Sequence, residues 1–113
     1  MNNFSVIYKI LQHLERMLDY EKPDMSMITP TALNISEARY NALMAMLAKN
    51  DCIEGLIIKK YADEEIYRVI SIENARITLK GLEYLYENSV MRKIAHGLTG
   101  AIDVIEKLKS FTY

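Results

Sequence analysis

Residues 4–20, FSVIYKILQHLERMLDY, place Ile7, Leu11, Leu14 and Leu18 at spacings of four, three and four, with Ile10 and Met17 beside them. This is the apolar stripe of an amphipathic helix, and Lys9, Gln12, Glu15, Arg16 and Asp19 fall largely on the opposite side. Pro23 stops the pattern. Residues 21–28 read as a connection holding a short strand at Met25 to Ile28. Thr29-Pro30 then signals a helix start, because Thr caps free N–H groups and Pro suits the first helical position. Asn34 ends this helix after barely more than a turn. In ISEARYNALMAMLAKND a third helix begins at the N-cap Ser36, with Glu37 in its first turn and Ile35 and Tyr40 at hydrophobic-staple positions. Tyr40, Leu43, Met44 and Leu47 form its inward stripe, and Asn50 is predicted to end it in the left-handed conformation. About three residues separate these two helices, which is helix-turn-helix spacing.

The period then changes. IEGLIIKK at 53–60 and IYRVISI at 66–72 are rich in β-branched and aromatic residues, and the polar YADEE between them supplies a turn, so they predict a β-hairpin. It should pack through Ile57 and Val69 or their immediate neighbours. NARITLKGLEYL, at 74–85, begins as a strand and ends as a helix carrying Leu79, Leu82 and Leu85. Thr78 is placed to cap that helix, and Gly81 in its first turn marks close backbone packing. Ile77 and Leu79 are expected to join the hairpin's core. Finally, Ser89 is predicted to cap a long helix, SVMRKIAHGLTGAIDVIEKLKS, striped by Met91, Ile94, Leu98, Ile102, Ile105 and Leu108.

At 113 residues the chain has the size of one domain, divided here into residues 1–88 and a C-terminal helical extension, 89–113. The predicted class is α+β, a winged helix-turn-helix with a two-stranded wing and an additional long C-terminal helix. ALNIS at 32–36 occupies the turn before the recognition helix, LAKNDCIEG at 47–55 its exit toward the wing, and ITLKG at 77–81 resembles the ending common after a wing. FSVIYKILQHLE, NISEARYNALMAML and ARITLKGLEYLYENSVMRK are similar to the YjcQ family, small proteins of Gram-positive bacteria and their prophages. The resemblance covers nearly the whole chain. It implies a winged-helix fold and carries over no reaction and no catalytic residue.

A winged helix directs attention to DNA, and with the resemblance to a family found in prophages the expected function is a small DNA-binding protein, a prophage-encoded transcriptional regulator. The exposed positions of the second helix of the motif should be Glu37, Ala38, Arg39, Asn41, Ala42, Ala45 and Lys49. Arg39 would read guanine, Asn41 adenine, and Lys49 would reach phosphate. Lys59, Lys60, Arg68, Arg76 and Lys80 would add phosphate contacts from the wing side. The charge balance resists this reading: fourteen Lys and Arg against fifteen Asp and Glu leave a net charge of -1. Asp63, Glu64 and Glu65 also place three acids at the expected wing tip. The alternative is a winged helix kept as a protein-interaction module that touches no nucleic acid. A positive face around Arg39, Lys49 and the wing separates the two.

The C-terminal stripe either closes over its own body or pairs with a second copy in a homodimer, through Met91, Ile94, Leu98, Ile102 and Ile105 with Gly97 or Gly100 permitting close approach. The dimer is the favoured reading. Enzyme chemistry is not expected, since no nucleophile–base pair, phosphate loop or metal set stands out. Cys52 is the single cysteine, which excludes an internal disulfide and a paired-thiolate zinc site, and it reads as a small semi-buried apolar residue. His13 and His96 lack partners at metal-ligand spacing. No cofactor, small-molecule ligand or membrane partner is expected. Without a basic, apolar leader or a membrane-length apolar run, the expected compartment is the cytoplasm.

Overall fold

The computed structural model describes residues 2–61 and 66–96, with side chains described as far as Asn88. The first helix, α1 (Asn3–Arg16), is capped by Asn2, whose side chain accepts the Ser5 N–H at 2.8 Å. It buries Val6, Ile10, Leu11 and Leu14. The stripe predicted through Ile7 and Leu18 is therefore turned: Ile7 is half-buried, and Leu18 is 51% exposed. The cause is a 3₁₀ turn at Met17–Asp19, which advances the chain by about 120° per residue instead of about 100° and carries Leu18 out of line.

The strand expected at Met25 to Ile28 is instead a 3₁₀ turn, Ser26–Ile28. The Asp24 carboxylate accepts the Ser26 N–H at 2.9 Å, a local bond that turns the backbone. Ile28 is still delivered to the core, at 1% exposure. The predicted helix-turn-helix follows. Helix α2 (Pro30–Leu33) is capped by Thr29, which accepts the Ala32 N–H, and it closes at Asn34 in the left-handed region with φ 55°. Helix α3 (Glu37–Lys49) is capped by Ser36, which accepts the Arg39 N–H at 3.1 Å. Tyr40, Leu43, Met44 and Leu47 are buried as their spacing predicts.

The exit from α3 differs by one residue from the expectation. Asn50 keeps φ −92° because both its backbone N–H and its side-chain amide donate to the Met46 carbonyl, and Asp51 takes the left-handed position with φ 58°. Bonds from Cys52 N–H to the Leu47 carbonyl and from Asp51 N–H to the Ala48 carbonyl complete a Schellman cap.

The predicted hairpin is split by Gly55, whose φ of 75° breaks the first strand into β1 (Ile53–Glu54) and β2 (Ile57–Tyr61). Only β2 joins β3 (Ile66–Ser71) in the wing. β1 pairs antiparallel with β4 (Arg76–Ile77), setting Ile53 opposite Ile77 and Glu54 opposite Arg76. A side chain at Gly55 would collide with the Asn74 carbonyl, so this close approach requires glycine. Ile57 is 52% exposed, and the wing instead reaches the core through its neighbour Leu56 and through Val69 and Ile72.

Helix α4 (Leu79–His96) starts where Thr78 accepts the Gly81 N–H at 3.1 Å. Leu85 is buried and Leu82 half-buried, but Leu79 is 72% exposed. Six helical residues separate Leu79 from Leu85, which puts them about 120° apart around the axis. Ser89 does not begin a new helix, because α4 passes through it without interruption; the side-chain amide of Asn88, one residue earlier, donates to the Tyr84 carbonyl. The division expected at 88/89 thus falls within α4. Of the dimer residues proposed from sequence, Met91 and Ile94 belong to α4 beyond the last described side chain, while Leu98, Ile102 and Ile105 lie outside the described residues.

Candidate nucleic-acid interface

Helix α3 and strand β3 lie side by side, joined by Asn41. Its Oδ1 accepts the Val69 N–H at 3.0 Å, occupying an otherwise unpaired donor on the strand. Two turns further along α3, the Lys49 ammonium sits 4.2 Å from the centre of the Tyr67 ring. These contacts fix the direction: α3 runs from Asn41 to Lys49 as β3 runs back from Val69 to Tyr67. They also cover the side of α3 shared by Asn41 and Ala45. Ala45, predicted to be exposed, is buried at 4%.

Strand alternation sorts the remaining cations onto two faces of the wing. Lys60 is paired with Tyr67 in the register and lies 5.7 Å from its ring, on the side that Lys49 also approaches. Lys59 and Arg68 face each other directly on the other side, at 5.2 and 5.4 Å from the Tyr61 ring. Opposed like charges weaken a two-stranded sheet, and a shared aromatic face offsets part of that repulsion. Ile57, Ile66 and Ile70 are all exposed beside them. Ile70 is the extra residue of a bulge, because Ile57 pairs with Ser71 and Ile58 with Val69.

The structure therefore groups Lys49 with Lys60 at Tyr67 on one face of the wing and Lys59 with Arg68 at Tyr61 on the other, and it ties the other two predicted DNA-binding residues to protein partners. Arg39 donates from Nη1 to the Asn3 side chain at 3.0 Å, at the start of α1. Asn41 is committed to the wing backbone, which removes the acceptor needed for paired recognition of adenine. Arg76 also departs from its expected role: Nη2 donates to the Glu21 carbonyl at 3.4 Å, and Nη1 is buried without a partner. Asp63, Glu64 and Glu65 lie outside the described residues.

Sequence reasoning missed Tyr61 and Tyr67. The visible signal was the spacing of Lys59 and Tyr61, two apart and so on one face of a strand, but the cross-strand partners depended on a register that the bulge displaces. Away from the wing, burial pushes the Cys52 thiol pKa up, and its Sγ–H points to the Asn50 carbonyl at 3.7 Å. This favours the thiol over a reactive thiolate. The His13 ring contacts the Asp24 carbonyl at 2.6 Å. Among the described residues, no group of three or more His, Cys, Asp or Glu is placed to hold a metal ion. No helix among them is long and apolar enough to cross a membrane.

A short helix, a turn and a second helix, followed by a two-stranded antiparallel wing and a terminal helix, define an α+β, winged-helix-like domain. The chain belongs to the YjcQ family, whose model, described as YjcQ protein, matches residues 8–104. Comparisons with curated proteins and with solved structures give no significant match.

Proposed function

We propose that this protein binds duplex DNA in the cytoplasm, holding the phosphate backbone with its wing and the C-terminal end of α3, in the manner of a small transcriptional regulator. The observation carrying this reading is that the wing holds cations on both faces, Lys60 with Lys49 of α3 at Tyr67 and Lys59 with Arg68 at Tyr61. A chain of net charge -1 has no general attraction for nucleic acid, so a local concentration of cations is the relevant feature. Phosphate contact dominates over base reading in this account, because Asn41 is occupied by the wing. A homodimer through the C-terminal helix would place two such surfaces on one duplex and compensate for the small charge of each.

Fluorescence anisotropy with genomic DNA fragments, at low and at physiological salt, tests the proposal. Affinity should fall steeply with salt, and Lys59→Ala should weaken all fragments alike, reducing the logarithmic salt slope by about one. Absence of binding at low salt overturns it. The second reading, a protein-interaction module, is favoured by a different observation: Ala38, Ala42 and Met46 are exposed on α3, with Met46 at 54%. That surface offers contact area and no base-reading groups.

A further inference from the structure

We propose that the wing face opposite Tyr67 and Val69 is a docking site for an extended acidic segment of a protein partner, which adds to the open edge of β2 and carries the pattern apolar-x-acid-x-apolar. Strand alternation brings Ile57, Lys59 and Tyr61 of β2 and Ile66, Arg68 and Ile70 of β3 onto this face. The register opposes Lys59 to Arg68 and Tyr61 to Ile66, and Ile57 lies at the other end beside the bulge residue Ile70. Two cations thus sit at the centre, with apolar residues at both ends. The three isoleucines are 43–57% exposed, and they offer nothing to a phosphate backbone.

Charge selects the occupant. Lys59 and Arg68 meet the Tyr61 ring at 5.2 and 5.4 Å, and among the described residues no carboxylate pairs with either. Facing like charges weaken the pair of strands, and a carboxylate laid beside them relieves that repulsion. The Arg68 guanidinium can hold such a carboxylate through two parallel hydrogen bonds. The two ends of the face then call for an apolar side chain two residues to either side of the acid, because positions two apart share a strand face and lie about 7 Å apart.

The backbone of β2 supplies the remaining contacts. Among the described residues the wing sheet holds β2 and β3 alone, and β3 is flanked by α3 through the Asn41 bond to Val69. The outer edge of β2 is therefore open to a third strand, which would gain main-chain hydrogen bonds there. A lipid surface offers no such ladder. A second copy of β2 fits badly, because antiparallel pairing about its centre sets Lys59 against Lys59. Lysines on an open edge reject most strands, and a strand bearing an acid at the matching position is the exception. The site shares Lys59 and Arg68 with the DNA reading without depending on it; duplex and strand would exclude each other there.

The test is a titration of the isotope-labelled full-length protein with the end-capped peptide Ser-Thr-Val-Thr-Glu-Thr-Val-Thr-Ser, and with its counterpart carrying Lys in place of Glu. No nucleic acid is present, so the result stands or falls separately from DNA binding. Three results together support the site: saturable amide shifts at residues 57–61 and 66–70, nuclear Overhauser contacts from the peptide backbone to β2, and an affinity for the Glu peptide at least about tenfold above that for the Lys peptide. Lys59→Glu, at an exposed position, should remove that preference while leaving the remaining amide spectrum folded. Equal affinity for the two peptides, saturable shifts elsewhere, shifts without contacts to β2, a preference unaffected by Lys59→Glu, or no saturable binding would each overturn the proposal. So would phosphatidylglycerol vesicles that shift this face when the peptide does not.

Discussion

The seam joining β1, β4 and the start of α4 differs from the wing in how its backbone is held. At the seam, Thr78 N–H donates to the Cys52 carbonyl at 3.1 Å, the Thr78 hydroxyl bonds to the Asp51 carbonyl, and Thr78 accepts the Gly81 N–H. Glycines at 55 and 81 let main chains approach where a Cβ would collide. The wing meets α3 through side chains, in the Asn41 bond to Val69 and the Lys49 contact with Tyr67, and its outer surface is cation, aromatic ring and exposed isoleucine. One region is specified by main-chain fit and the other by side-chain chemistry left available to a partner. Substitutions should therefore damage the seam through folding and the wing through binding.

The largest effect is expected at the seam. A side chain at Gly81 would collide with the Cys52 carbonyl and come within 2.6 Å of Ile77 Cγ1, so Gly81→Val should cost about 3 kcal/mol, toward the upper end for overpacking. Chemical denaturation measures this directly. An unchanged midpoint would remove the basis for contrasting the two regions.

Next in size is the alkaline response of Tyr40, which is buried on the inward stripe of α3. Its pKa rises from 10.0 unfolded to about 12 folded because burial disfavours the phenolate. Between these values the folded state binds more protons than the unfolded state, so stability falls as pH rises from about 10 to 12 and levels off above. The loss should reach roughly 2–3 kcal/mol. Tyr40→Phe should flatten that part of the stability profile, as urea midpoints measured across the range would show.

The smallest change is expected in the wing. Asn41→Ala should cost about 1 kcal/mol, since it leaves the Val69 N–H without its acceptor in a half-buried setting. Hydrogen exchange at Val69 should accelerate, while exchange at Cys52 and Thr78 stays as it was. If all three accelerate together, wing and seam open as one unit and the contrast fails.

Much of this was legible in the chain because helix signals are local. Thr29, Ser36 and Thr78 cap the helices the pattern assigns to them, and the inward stripe of α3 is buried as its spacing requires. The failures lie where a tertiary contact decides. Leu18 followed the helical period until a 3₁₀ turn rotated it outward, and Gly55 divided a strand whose composition read as continuous. Asn41 and Arg39 have the residue types of base readers, but their partners Val69 and Asn3 are 28 and 36 residues away in sequence. No local pattern reports such bonds. The wing cations were identifiable; their grouping around two tyrosines depended on the register.

DNA binding by the wing and the end of α3 is best checked by amide-shift mapping of the labelled protein with a short duplex at low salt. Shifts should concentrate in residues 57–61 and 66–71 and at Lys49 and shrink with added salt and with Arg68→Ala, while the seam residues Cys52, Ile77 and Thr78 stay unmoved. Shifts confined to other surfaces, or none at low salt, would contradict it.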